Sequence, residues 1–245
     1  MATRLTGVEI RASDVRSLSE FWTRVLGADV VSGANGLALR FAEATGPKSA
    51  KNRVHLDLKG GPLQLARLLD LGAVRTDIGQ GEAPWEVLAD PEGNEFCLQP
   101  PTPVDELEGT SQVALNGSVN GTAPGLLSEV EGRGGIGVRW TAVCQDCADP
   151  QAQSKFWTAA LGFGWQVVAE GDWGIALRRV DDARFPMLVM GPPLAAKDGP
   201  NRVYLRVTPN QGSDVVVETS RLVVEGAKRQ GELLTDPEGN EFRIA

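Results

Sequence analysis

Hydrophobic and polar positions follow two periods along this chain. Residues 5–12 alternate toward the period of a half-buried strand. Ser13-Asp14 then offers capping side chains for a helix in which Leu18, Phe21, Trp22 and Val25 take the i, i+3, i+4, i+7 spacing of one apolar stripe. Residues 37–41, 54–58, 85–88 and 95–98 read as strands, and residues 63–71 as a second helix ended by Gly72. Between the last two strands, Asp90-Pro91-Glu92-Gly93-Asn94 is turn chemistry: proline presets φ, glycine accepts a positive φ, and aspartate bonds nearby backbone. The order strand, helix, short strands, strand, helix, strand predicts an α+β fold.

The pattern occurs twice. Asp90-Pro91-Glu92-Gly93-Asn94-Glu95-Phe96 returns 146 positions later as Asp236-Pro237-Glu238-Gly239-Asn240-Glu241-Phe242. Phe21-Trp22-Thr23 returns as Phe156-Trp157-Thr158, each followed by Leu-Gly, and Asn52-Arg53-Val54 as Asn201-Arg202-Val203. The offset changes from 135 for the helix to 149 for the Asn-Arg-Val strand. The first copy therefore lacks about fourteen residues there, and the second carries extra material that includes residues 171–179. Residues 1–101 and 138–245 are read as two units. Residues 102–137, rich in Gly, Ser, Asn, Thr and Glu, are too polar to repay chain ordering by burial and are read as a linker.

Composition narrows the function. A net charge of −8, from 24 basic and 32 acidic side chains, lacks the attraction that phosphate backbones demand, which argues against nucleic acid and anionic membrane as partners. No apolar run approaches the roughly 18 residues that span a bilayer, and residues 1–7 lack a secretory signal's apolar stretch. A cytoplasmic location is expected. Three cysteines, Cys97, Cys144 and Cys147, are too few and too odd for a disulfide framework. Cys144 and Cys147 lie on a predicted strand, where residues three apart face opposite sides, so a working dithiol is not expected of them.

Together, Phe-Trp with Leu-Gly on the first helix, Asn52-Arg53-Val54-His55-Leu56-Asp57 on a strand, and the closing hairpin Asp90-Pro91-Glu92-Gly93-Asn94-Glu95-Phe96-Cys97-Leu98 resemble the vicinal oxygen chelate superfamily, specifically its glyoxalase-like domains. The resemblance implies two tandem units built from paired βαβββ modules, whose strands form a curved, U-shaped mixed sheet around a cavity. It also implies small-molecule ligands. The pairing found between subunits in single-unit relatives could be supplied within one chain by the duplication, as a monomer with an internal pseudo-dimer or as a homodimer.

Such proteins usually hold a divalent metal on His, Gln or Glu side chains of the first and last strands. The matching positions are Gly7, His55 and Cys97 in the first unit and Ala142, Tyr204 and Arg243 in the second. With a single histidine the usual set cannot be assembled, so no metal or other cofactor is expected. His55, Glu95 and Glu241 remain as candidates for proton transfer, since imidazole as a residue type exchanges protons near neutral pH. The glutamates have a second reading as structural partners of Arg53 and Arg202. Tyr204, Trp173, Trp140, Cys97 and Arg243 are candidate ligand contacts. Six tryptophans against one tyrosine make aromatic placement informative: Trp22 and Trp157 fall on the helix stripe and read as core. The expected function is binding of a small apolar or aromatic molecule without metal. The alternative is an isomerase, cyclase, lyase or dioxygenase-like enzyme using His55 with Glu95 or Glu241, or a non-standard metal site.

Overall fold

The computed structural model describes residues 2–34, 36–44, 46–102, 135–192, 197 and 199–245. They form four modules. The first is β1 (Thr3–Ala12), α1 (Val15–Leu26), α2 (Ala28–Ser32) and β2 (Ala38–Glu43). The second is β3 (Val54–Lys59), α3 (Pro62–Asp70), β4 (Val74–Arg75), β5 (Glu86–Ala89) and β6 (Glu95–Gln99). The third is β7 (Arg139–Asp146), α4 (Pro150–Leu161), β8 (Trp165–Gly171), β9 (Gly174–Arg179) and β10 (Met187–Gly191). The fourth is β11 (Val203–Pro209), α5 (Val215–Val224), β12 (Lys228–Gln230), β13 (Leu233–Thr235) and β14 (Glu241–Ile244). Most of the linker, residues 103–134, lies outside the described residues.

The modules assemble into two open mixed sheets. The first has the order β12-β13-β14-β11-β1-β2, and the second β4-β5-β6-β3-β7-β10-β9-β8. Each takes one module from each unit, joined by the antiparallel pairs β1–β11 and β3–β7. The partner of each module is therefore in the other unit rather than its own, which is the pairing that a duplication can supply inside one chain. The second copy's extra residues form the β8–β9 hairpin. The first module has α2 and a turn there, so the first sheet is two strands narrower.

One apolar core joins the sheets and helices. On helix α1, Leu18, Phe21, Trp22 and Val25 are buried as their spacing predicts. Asp14 caps it by accepting from the Ser17 N–H. Trp22 meets Phe96 of the second sheet edge-on at 5.2 Å, and in the other unit Trp157 meets Phe242 of the first sheet at the same distance. Each such pair contributes about 1 kcal/mol beyond its area. Both copies thus wedge a Phe-Trp helix between the sheets. Ile136 packs on the core, and its N–H donates to Val25 O at 3.2 Å, docking the chain just before β7 onto α1.

The repeated turn explains its own sequence. Asp90 accepts from the N–H groups of Glu92 and Asn94 at 2.9 Å each, and Gly93 takes φ +80°. Glu92 accepts from the Ser13 and Asp14 N–H groups ahead of α1, and Glu238 does so from Ala148 and Asp149 ahead of α4. Arg202 then reaches Glu92 at 3.3 Å, and Arg53 donates to Glu238 O at 3.0 Å. The arginine of each Asn-Arg-Val motif therefore clasps the turn of the other unit.

Candidate functional site

Strand alternation fixes which side chains face away from the core. On the first sheet Val8, Ile10, Val203, Leu205, Val207 and Phe242 pack inward, so Glu9, Arg11, Tyr204, Arg206 and Arg243 share the opposite face. Tyr204 O–H donates to Glu9, and its oxygen accepts from Arg11 Nε at 2.8 Å and Nη2 at 2.6 Å. Arg206 Nη1 occupies the second Glu9 oxygen. Burial would raise the Glu9 carboxyl, but the hydrogen bonds from Tyr204 and Arg206 and the arginine charges outweigh it and hold it low. Burial, and then the Glu9 bond, push the Tyr204 hydroxyl up.

The same alternation on the second sheet presents a different group. His55 and Asp57 lie two apart on β3; Cys97 on β6 is in register with Asp57, and Cys144 on β7 with His55. Ligand-type atoms of His55, Asp57 and Cys97 all lie within 4.8 Å of one another. His55 Nε2 is 3.5 Å from Asp57 Oδ1, and Gln99 Nε2 donates to Asp57 Oδ2 at 2.8 Å. His55 Nδ1 and Asp57 Oδ1 are buried without a hydrogen-bond partner. Burial first, and then the Asp57 charge, push the Cys97 and Cys144 thiols well up. Cys147 faces the core, where burial raises it to about 12, so the two cysteines of Cys144-Gln145-Asp146-Cys147 do lie on opposite sides of the strand.

A cleft of about 440 Å³ opens between residues 44 and 46–53 on one side and 197 and 199–202 on the other, in the matching segments that precede β3 and β11. Arg11, Lys48, Lys51, Arg53, Lys197 and Arg202 line it together with Tyr204, Glu241 and apolar surface from Ala44, Pro47, Pro200 and Leu233. Its lysines also have internal partners: Lys48 with Glu95 at 2.6 Å, Lys51 with Asp146 at 2.6 Å and Lys197 with Glu241 at 2.7 Å.

Tyr204 and Glu241 therefore line the cleft, and Arg243 lies beside Tyr204 on the same sheet face. His55 and Cys97 come together on the other sheet. Glu95 and Glu241 do act as clamps, but not with Arg53 and Arg202. They accept from Lys48 and Lys197 and from the backbone N–H groups of Asn52 and Asn201, because both arginines are committed to the turns of the opposite unit. Trp140 is buried, its indole N–H donating to Ala142 O at 2.9 Å; Trp173, half exposed, sits at the tip of the β8–β9 hairpin. Sequence reading missed Glu9, Asp57 and Arg206. Stepping two residues along the strands from Gly7, His55 and Tyr204 reaches all three.

The metal implied by the resemblance does not fit the first sheet. On the face turned from the core, Glu9 is occupied by Tyr204 and Arg206 with Arg11 and Arg243 beside it, and Glu241 is held by Lys197. On the second sheet the matching positions are Ala142, His55 and Cys97, of which His55 alone is one of the usual His, Gln and Glu ligands.

The chain belongs to the glyoxalase-like domain family, whose model matches residues 7–99 and 142–245. This places it in the vicinal oxygen chelate superfamily. No curated protein matches it by sequence. Among solved structures, glyoxalase I from Zea mays superposes with TM-score 0.58 at 13% identity, over 99% of this chain and 92% of that one. A Bacillus subtilis protein provisionally assigned as a dioxygenase gives TM-score 0.58 at 12% identity, over 100% of this chain and 85% of that one. At these identities the likeness is one of fold. No helix among the described residues is long and apolar enough to cross a membrane.

Proposed function

We propose that this protein binds a small organic anion with an apolar or aromatic body in the cleft between residues 46–53 and 199–202, without a metal. The observation that carries the reading is the concentration of six cationic side chains around a cavity of about 440 Å³, in a chain whose net charge is −8. Much of that charge is neutralised by internal partners, so the cations are held in place. Preordered donors lose little freedom on meeting a carboxylate. Alanine, proline and leucine surfaces give the body of the ligand apolar contact.

Calorimetric titration with a panel of aromatic and aliphatic carboxylates, each paired with its neutral amide, tests this. The acids bind and the amides do not; EDTA leaves binding unchanged; Lys51→Gln or Lys197→Gln weakens it about tenfold. A panel without a binder, or a binder indifferent to both substitutions, overturns the reading.

A second reading, turnover by proton transfer at His55, is supported by one geometric fact, the approach of its Nε2 to Asp57. It requires product formation from a bound ligand that His55→Ala abolishes while binding persists. Binding with no product from any ligand rejects it.

A further inference from the structure

The face of the second sheet turned from the core carries donors that the cleft does not use. Neighbouring strands run about 4.8 Å apart and alternate residues of one strand stand on one face. The registers Asp57–Cys97 and His55–Cys144 therefore place an imidazole, a carboxylate and two thiols in a small diamond on β6, β3 and β7. His55, Asp57 and Cys97 lie within 4.8 Å of one another. Asp57 is only 8% exposed, and its Oδ1, facing this group, has no hydrogen-bond partner. Leaving a carboxylate oxygen unpaired at such depth is costly, and a cation would remove the cost.

We propose that His55, Asp57 and Cys97 form a thiolate-containing site for a zinc-class divalent cation, with one coordination position open. The donor set is N, O and S from a single module. His55 and Cys97 stand at positions that match the implied ligands, but the thiol at 97 and Asp57, outside those positions, make a donor set unlike the His, Gln and Glu set, one that suits a borderline-soft ion better than magnesium or calcium. On binding, the Cys97 thiol gives its proton to solvent, and the ion's two charges are balanced by the Asp57 carboxylate and the Cys97 thiolate. Gln99 holds the other Asp57 oxygen and orients the carboxylate. The proposal is independent of the cleft reading, since it concerns other residues and another readout.

Cobalt(II) titration of the full chain under reducing, oxygen-free conditions is the test. Wild type takes up one Co(II) per chain, with the visible bands of a low-symmetry four-coordinate ion and a near-ultraviolet thiolate-to-cobalt band, and zinc displaces it. Cys97→Ser abolishes the near-ultraviolet band, and His55→Ala or Asp57→Asn weakens binding at least tenfold. Cys147→Ser, on the core side of β7, keeps every band. Should a site variant unfold, the wild-type reading decides alone: zinc added to wild type raises its melting temperature and magnesium does not. Absence of the thiolate band in wild type, a band that survives Cys97→Ser in a folded protein, or one lost with Cys144→Ser but kept with Cys97→Ser overturns the assignment.

Discussion

On the first sheet Glu9 is ringed by Tyr204, Arg206 and Arg11, both of its oxygens taken. At the related place on the second sheet, His55 and Asp57 keep buried polar atoms without partners, beside two thiols. The two sheets share a module plan and a pseudo-two-fold relation, so fold does not produce the difference. It comes from a handful of positions on the faces turned from the core: Glu9 and Tyr204 against Cys144 and His55, and Arg206 and Arg243 against Asp57 and Cys97. On the first face the buried atom without a partner is a donor, Arg243 Nε, while the carboxylate is fully paired; on the second it is a carboxylate oxygen and an imidazole nitrogen, which keep capacity for something else. Removing a group should therefore have very different consequences on the two faces.

Glu9→Ala strikes the satisfied face and carries the largest expected effect. It leaves Arg206 and Arg11 beside Tyr204 without the carboxylate that both of them face. Breaking one partner out of a buried ionic network costs about 3–5 kcal/mol, and the arginines' partial access to water places this case near the lower figure, about 3 kcal/mol. Urea unfolding measures it. A loss under about 1 kcal/mol would mean that the face is not a network and that the contrast between the sheets is only geometric.

The next effect, about 2 kcal/mol between pH 4 and 6, is one of pH and belongs to the second of the repeated turns. Burial raises the Asp236 carboxyl from 3.8 to about 6, although the hydrogen bonds from Asn240, Gln153 and Glu238 oppose it. The folded chain then holds this proton more tightly than the unfolded chain. The group's contribution to stability is full below pH about 4 and is lost as pH rises through about 6. Glu9, held low, acts in the opposite sense: its contribution is present above the ordinary glutamate range and lost as pH falls. Asp236→Asn should flatten the wild-type decline between pH 4 and 6 in a melting series. An unchanged difference between the two proteins across that window rejects the assignment.

A smaller effect belongs to the clasps that join the units. Arg53→Ala and Arg202→Ala each remove hydrogen bonds to the opposite unit's turn region, and each should cost about 1–2 kcal/mol. The double variant should cost close to the sum, since Glu238, held by Arg53, and Arg11, Gly46 and Glu92, held by Arg202, lie in different units. A much larger loss for either alone would show one clasp to be essential for assembling its sheet.

How much of this was legible in the sequence depends on the distance over which each feature is determined. Helix α1, its Asp14 cap, the turn chemistry and the opposite facing of Cys144 and Cys147 are local, and periodicity finds them. The extra strand hairpin in the second copy follows from comparing offsets. The exchange of modules between units does not, because each sheet's joining strands, β1 with β11 and β3 with β7, are set by long-range burial. The same limit hid the sites. Counting from the resemblance stopped at Gly7 and His55, whereas the charged and metal-type partners Glu9 and Asp57 lie one strand repeat further on. The pairing of Glu95 with Lys48, rather than Arg53, was invisible because Arg53 is drawn away by a turn 185 residues distant.

His55→Ala should give the smallest change, and for that reason it tests the contrast most sharply. The imidazole lies at the margin of burial, its Nδ1 makes no hydrogen bond, and its Nε2 approaches Asp57 only to 3.5 Å, beyond a good hydrogen bond. Truncation loses some packing but strands no partner that was previously satisfied. The expected cost in metal-free protein is under about 1 kcal/mol, a third or less of that for Glu9→Ala. The same substitution made with zinc present should cost more, by whatever the ion contributed to folding. Equal costs with and without zinc would leave the second face as inert as an ordinary sheet surface. A cost in metal-free protein matching that of Glu9→Ala would show that both faces are closed networks and that the difference between the sheets is not one of unused capacity.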